Sequence, residues 1–338
     1  MKLSPFRFYV VVSISLLCYS YNFGQGCSDP GLCTTGTLNS GGMKDTVSSI
    51  DYTQADLSSL LNVSVASERY NFGIGGLYAV GDKKTAITNI IFNASVRLRN
   101  KTVLGIKLPY YFINGNLGSL NKLGDINLNL QNTFRSGNNV LLAYTLGLII
   151  PVNNANNMID GKALPMVYQT SLGVFNALAG LSLKYKKWSF AAGYQQSFGS
   201  NENNFTTEGL VFKPGAVGYD ALNSIRETYV SSRNLKRGND IMIRIEKGFG
   251  TKKLQAFFGI LPIFRLNPSM IEKNSGEKII ISGTNGLTLN LTFGGAYQLK
   301  NDFILKLNFG GPAVTRKVKE DGLNRSYVLI IGVTKKVW

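Results

Sequence analysis

The chain alternates between oil and amide. In residues 124–134, GDINLNLQNTF, Ile126, Leu128, Leu130 and Phe134 take turns with Asn127, Asn129, Gln131 and Thr133. A period of two places the two sets on opposite faces of a β-strand. If the oily face turns inward, the strand belongs to a soluble sheet protein. If it turns outward, the amides line the wet interior of a membrane barrel. The same alternation recurs at 69–80, 87–99, 102–112, 138–150, 168–185, 188–198, 240–249, 254–266, 286–299, 302–311 and 325–338. The stretch 168–185 changes phase near Asn176, which predicts a bulge.

The connections choose between the two faces. Short links (NK after Arg99, SGN after Arg135, KK after Tyr185, GTKK after Phe249, KND after Leu299) alternate with long ones. The long ones are 81–86, 113–123, 151–167, 199–239, 267–285 and 312–324. Tight turns at one end and longer loops at the other mark an all-β, transmembrane, antiparallel up-and-down barrel of about 12 strands, with 14 as the alternative. An even count returns the C-terminus to the periplasm. LLNVSVASE (60–68) would make the count odd and is read as a lead-in. A soluble sandwich or lipocalin-type barrel with reversed faces is the competing fold. The chain ends in Trp338, an aromatic terminus common in outer-membrane barrels, but it is out of phase with the oily parity Tyr327, Leu329, Ile331, Val333 and Val337, and Lys335 interrupts that parity.

The N-terminus reads as an export address. Lys2 and Arg7 precede the apolar run Phe8–Cys18, too short to span a bilayer as a helix. Cleavage is expected near Gln25, giving 1–25 as signal peptide, 26–68 as a periplasmic segment and 69–338 as the barrel in the cell outer membrane. Lipidation at Cys18 or Cys27 is a weaker alternative, because Leu17 stands where a lipobox wants a small residue.

Only 16% of residues are charged, with 37 Gly and 9 Pro, where a soluble chain carries about 25% charge. The formal charge is +17; without Lys2 and Arg7 the 34 basic and 19 acidic residues leave +15. The basic residues are scattered, so no nucleic-acid partner is expected. Outer-membrane lipid, lipopolysaccharide and a small polar, anionic or hydrophobic solute are the expected partners. Cys27 and Cys33, separated by a Pro-Gly turn, predict a disulfide in an oxidising compartment, two free thiols being the alternative. The chain has no His. A Ser-His-Asp triad and His metal sites are thereby excluded. The reading is not an enzyme, with no cofactor and no metal.

Several segments carry a resemblance. GCSDPGLC, LPMVYQTSLG (164–173), RGNDIMIRIEKGF (237–249) and EDGLNRSYV (320–328) resemble those of a group of outer-membrane barrels from Bacteroidota. More distantly, the layout is similar to transporter-type barrels of the meta-pathway of phenol degradation family and to fatty-acid-uptake barrels. The resemblance implies a barrel with an uptake role. It carries over no site residues, and about 45 residues before the first strand leave no obvious plug domain.

By parity, Arg97, Arg99, Lys107, Arg244, Glu246 and Lys306 point into the lumen. Five cations and one anion there describe a pore that favours anionic or polar solutes. The alternative is a lumen packed by Arg–Glu pairs and amides, with Arg244 and Glu246 paired on one strand face. The 199–239 connection is too long for a hairpin and is a candidate constriction over the mouth. VNNANNMIDG (152–161) reads as an exposed loop, and GDKKT (81–85) as an external hairpin. Two functions stay open: a passive channel or transporter for small solutes, and a structural or adhesive barrel whose loops bind partners.

Overall fold

A computed structural model describes residues 70–337 apart from 100, 138–139, 212, 252, 300–302 and 323–324. The signal segment, the residues before Tyr70 and the Cys27–Cys33 pair lie outside the described residues.

The wall begins with β1 (Tyr70–Gly81), β2 (Ala86–Arg99) and β3 (Thr102–Gly115). β4 (Gly118–Leu123) folds back on the outer half of β3, and β5 (Ile126–Gly137) continues down its inner half. β4 and β5 are thus one wall strand bent at Gly124–Asp125. The stretch 113–123, expected as a loop, is the tip of this hairpin. β6 (Val140–Ile150) follows, and β7 (Met158–Ile159) and β8 (Lys162–Ala163) form a small loop ribbon. The wall resumes with β9 (Phe175–Tyr185), β10 (Trp188–Phe198), β11 (Asp240–Gly250) and β12 (Leu254–Arg265). A second ribbon, β13 (Met270–Glu272) with β14 (Lys278–Ile280), precedes β15 (Gly286–Gln298), β16 (Phe303–Val314) and β17 (Arg325–Val337). One short helix, α1 (Ala221–Arg226), sits in the longest loop, capped by Asp220 accepting from the Leu222 N–H. Each wall strand pairs antiparallel with its neighbours, and β1 pairs with β17, which closes a twelve-stranded barrel. Closure leaves no strand edge, a requirement for any sheet in lipid.

The oily faces turn outward. Phe72, Ile74, Phe92, Leu146, Leu148, Phe293 and Leu307 are exposed on the wall, whereas Asn89, Asn127, Asn129, Asn290 and Asn308 are buried inside. The short turns place Phe134, Tyr144, Tyr185, Trp188 and Phe249 in one aromatic girdle. The other end carries Tyr78, Phe175, Tyr194, Phe198 and Phe264. Such paired girdles sit at the two lipid–water boundaries. Lys335 does not break this pattern. It lies opposite Phe72 and Phe303, with its ammonium 5.4 Å from the Phe303 ring centroid, at the turn end where a lysine reaches the headgroups.

Glycine makes the inner wall possible. Gly73 faces Asn93 and Gly105 faces Asn129 across the strand pairs. Gly259 faces Glu246 and Gly294 faces Asn308 in the same way. A Cβ on Gly105 would come within 2.8 Å of Asn129 Oδ1, and one on Gly73 within 2.5 Å of Asn93 Oδ1. The long polar side chains therefore lie flat over glycines along the lumen wall.

Two expectations need correction. The phase change near Asn176 is not a bulge: β9 begins at Phe175 and pairs on both sides without a register slip. Residues before it leave the wall, with Met166–Tyr168 forming a buried 3-10 turn. Nor is VNNANNMIDG simply exposed, because Ala155 and Asn157 are buried in a packed loop.

Candidate functional site

The inner wall has two zones. Toward the turn end and the middle it is polar. Lys107, Arg244, Glu246 and Lys306 all point inward, each at most 3% exposed. Arg97 is inward and half-buried, whereas the side chain of Arg99 lies outside the described residues. Arg244 Nε lies 3.5 Å from Glu246 Oε1, so these two pair on one strand face. Lys184, which parity also places inside, is a further inner-wall cation: it stands opposite the inward Ser189. Sequence reading missed it because it sits close to the tight turn, where LSLKYKK reads as a cationic strand end.

Toward the loop end the wall turns apolar. Leu77, Ala79, Ile87, Tyr111, Ile113, Val328 and Ile330 face inward there, and loop residues fill the space between them. Leu164, Val167 and Tyr168, from the segment after β8, together with Phe205 and Tyr229, complete this layer. Among the described residues, it is the chain's own loops that fill the mouth.

Polar contacts fix the inserted segment. The Tyr168 hydroxyl accepts from the Leu117 N–H at 2.9 Å, and no side chain fits on Gly115, where a Cβ would overlap that hydroxyl. Asp125, at the bend between β4 and β5, accepts from the Leu172 N–H at 3.0 Å and the Val152 N–H at 3.3 Å. Gln169 Nε2 donates to the Leu164 carbonyl at 2.8 Å, and its Oε1 accepts from the Asn157 N–H at 2.8 Å. Above, Asn203 is fully buried and ties the 199–239 loop down: its amide donates to the carbonyls of Ala155 and Leu164, and its oxygen accepts from Phe205 N–H and Ser232 Oγ. Arg226 stacks 4.9 Å from the Phe205 ring centroid and donates to the Ala163 carbonyl. The long loop thus folds over the mouth, as its length suggested.

Beside the inserted segment lies a buried ionic cluster. Asp240 opens β11 and pairs in register with Arg265, which ends β12, at 2.9 Å. Arg265 also reaches Glu320 and Asp321, each at 2.7 Å. Asp321 further holds Arg237 at 3.1 Å and Arg316 at 3.5 Å, and Arg237 bonds Asp240. Three guanidinium groups meet three carboxylates, with side-chain exposures of 5% or less. Burial alone would raise the Asp321 carboxyl, but Arg265, Arg316 and Arg237 hold it well below the usual range. Glu320 moves the other way: burial and the adjacent Asp321 charge raise it, and Arg265 only partly compensates. Ser269 Oγ donates to Glu320, and Arg316 donates to the Thr284 carbonyl at 2.7 Å, so the 267–285 loop joins the same cluster. None of these six charges was singled out from sequence for this role. Their pairing depends on loops that meet only when the barrel closes. Three of the segments that carry the Bacteroidota resemblance, 164–173, 237–249 and 320–328, converge at this mouth.

No family model matches the chain, and no curated protein matches it. Among solved structures, an outer membrane channel from Pseudomonas putida F1 is 12% identical with a TM-score of 0.52, covering 86% of this chain and all of its own. The NanC porin is 10% identical with a TM-score of 0.46, covering 79% of this chain and all of its own. The KdgM porin is 8% identical with a TM-score of 0.40, covering 79% of this chain and 99% of its own. The likeness to the Pseudomonas channel shows the fold alone, a closed antiparallel β-barrel of the kind that channel has.

Proposed function

We propose that this barrel is a passive outer-membrane channel for small solutes, held shut from outside by its own loops and favouring anions within. The carrying observation is the two-zone interior. A polar wall bearing Arg97, Lys107, Lys184, Arg244 and Lys306 against Glu246 is what a hydrated path requires, and nothing in lipid would keep those charges inside otherwise. The apolar layer above joins inward wall residues to loop residues, and the loop residues can leave without breaking the wall ladder. The likeness to the Pseudomonas channel is consistent with this reading, as are the segments resembling Bacteroidota barrels and the wider meta-pathway transporter layout. With no His in the chain, transport rather than catalysis is the proposed activity. Lipopolysaccharide and lipid are the proposed surroundings, reached by signal-directed export.

One observation favours the second reading, a structural or adhesive barrel. Arg244 and Lys306 are 1% and 2% exposed, so the middle of the lumen is filled in this conformation. Planar-bilayer recording decides between them. The channel reading expects current that grows when the inserted tip 163–172 is deleted. Silence in both the intact and the deleted protein refutes it and leaves the structural reading.

A further inference from the structure

Arg325 opens β17 at the loop end. The register with β1 slips between Val80 and Gly81, which makes Ser326 the extra residue of a bulge. Beyond the bulge Arg325 is only 4% exposed, yet its Nε and Nη1 make no hydrogen bond. The mouth's other buried cluster cations, Arg237, Arg265 and Arg316, all meet carboxylates. Arg325 instead borders a cavity of about 40 Å³ between the inserted Met166–Leu172 segment and the inner wall. On the same cavity lies Asp321, whose Oδ1 is buried without a partner while its Oδ2 holds the three cluster guanidiniums. Of the remaining lining, Ile87, Ile113 and Ile149 offer no side-chain polar atoms, and Gln169, Thr170 and Ser171 donate to the Leu164, Leu123 and Asn153 carbonyls. Buried ions without partners are costly, so an orphan donor pair and an orphan acceptor on one cavity define what is missing.

We propose that this cavity binds a small carboxylate carrying a hydrogen-bond donor beside the carboxyl group, a hydroxy acid or amino acid of glycolate or glycine size. One carboxylate oxygen accepts a charge-assisted hydrogen bond from an orphan N–H of the Arg325 guanidinium. The neighbouring hydroxyl or ammonium donates to Asp321 Oδ1. Asp125, also on the cavity, keeps its oxygens on the Leu172 and Val152 N–H groups and makes the site hostile to a second negative charge. The site goes beyond the channel reading and stands whether or not the barrel conducts.

The test uses the purified full barrel in detergent, with isothermal calorimetry and thermal unfolding, against glycolate, glycine and acetate. Expected is saturable binding of glycolate or glycine, at least tenfold weaker binding of acetate, and loss of binding in Arg325→Gln. Without ligand, Arg325→Gln should melt at or above the unmodified protein, because it removes an unpaired buried charge. A merely structural arginine would give the opposite shift. No binding by the unmodified protein, acetate binding equal to glycolate, binding retained in Arg325→Gln, or a clearly lower melting point for unliganded Arg325→Gln would each overturn the proposal.

Discussion

Replacing Asp321 with Asn should open the mouth without harming the wall. Asp321 is the shared acceptor of Arg265 at 2.7 Å, Arg237 at 3.1 Å and Arg316 at 3.5 Å, with no side-chain exposure. Asn keeps the size but removes the charge, leaving three buried guanidiniums against Asp240 and Glu320. Breaking one partner from a buried ionic group costs about 3–5 kcal/mol. Asp321 belongs to the 315–324 connection, outside the strand ladder, so the cost falls mainly on the docked loops. At ~1.4 kcal/mol per tenfold, the docked-to-undocked ratio should fall by roughly a hundredfold to a few thousandfold. Two assays read it: mean current in planar bilayers, and protease cleavage within 199–239 on the folded barrel. Both should rise in Asp321→Asn, while the heat-modifiable mobility typical of an intact barrel persists. Unchanged current together with unchanged cleavage would refute the idea that this cluster holds the mouth closed.

The same cluster has a pH signature. A carboxyl held low contributes stability that is present above its ordinary value, 3.8 for Asp321, and is lost only as pH falls through the lower folded value. Mild acid therefore leaves Asp321 charged. Glu320 is raised above its ordinary 4.5, so the folded state favours its protonated form. Its contribution is complete below 4.5 and is lost as pH rises through the folded value. Lowering pH from neutral toward that region should tighten the loops, seen as slower loop proteolysis; faster proteolysis over that window would contradict the assignment.

Further outcomes follow from the wall and the loops. Lys107→Glu with Lys306→Glu should lower or reverse anion preference, measured as reversal potential under a salt gradient, with the barrel still folded. Gly294→Val should cut refolding yield, because a Cβ there overlaps Asn308 and the neighbouring Phe257 ring; unchanged yield would mean that the side chains simply move aside. Gly322 sits at φ 66°, and a Cβ on it would strike the Met166–Val167 backbone, so Gly322→Ala should raise loop cleavage while the wall stays intact. Single cysteines in 201–236 should label on intact cells while one at Gly137 should not, and the reverse pattern would invert the barrel.

What could be read in advance was what repeats. GDINLNLQNTF shows its two faces in sequence, and twelve such stretches separated by alternating links leave few topologies to a chain that must close its edges. The inward direction of Lys107, Arg244, Glu246 and Lys306 follows from the same parity, since a strand has only two sides. Parity fails where the chain leaves the ladder. YQTSLG (168–173) reads as the start of a strand, but Tyr168 buries with inward Ile87, Ile113 and Val328 from other strands. No local rule announces that. Arg325 is the sharper case: counted by twos from Val328 it would face lipid, and a bulge of one residue is enough to bury it. An unpaired guanidinium facing lipid would be far more expensive than one facing a polar cavity, so the slip in register itself has an energetic reason. The site and its selectivity therefore depend on irregularities that the repeating wall permits at its rim, where the ladder no longer dictates which way a side chain turns.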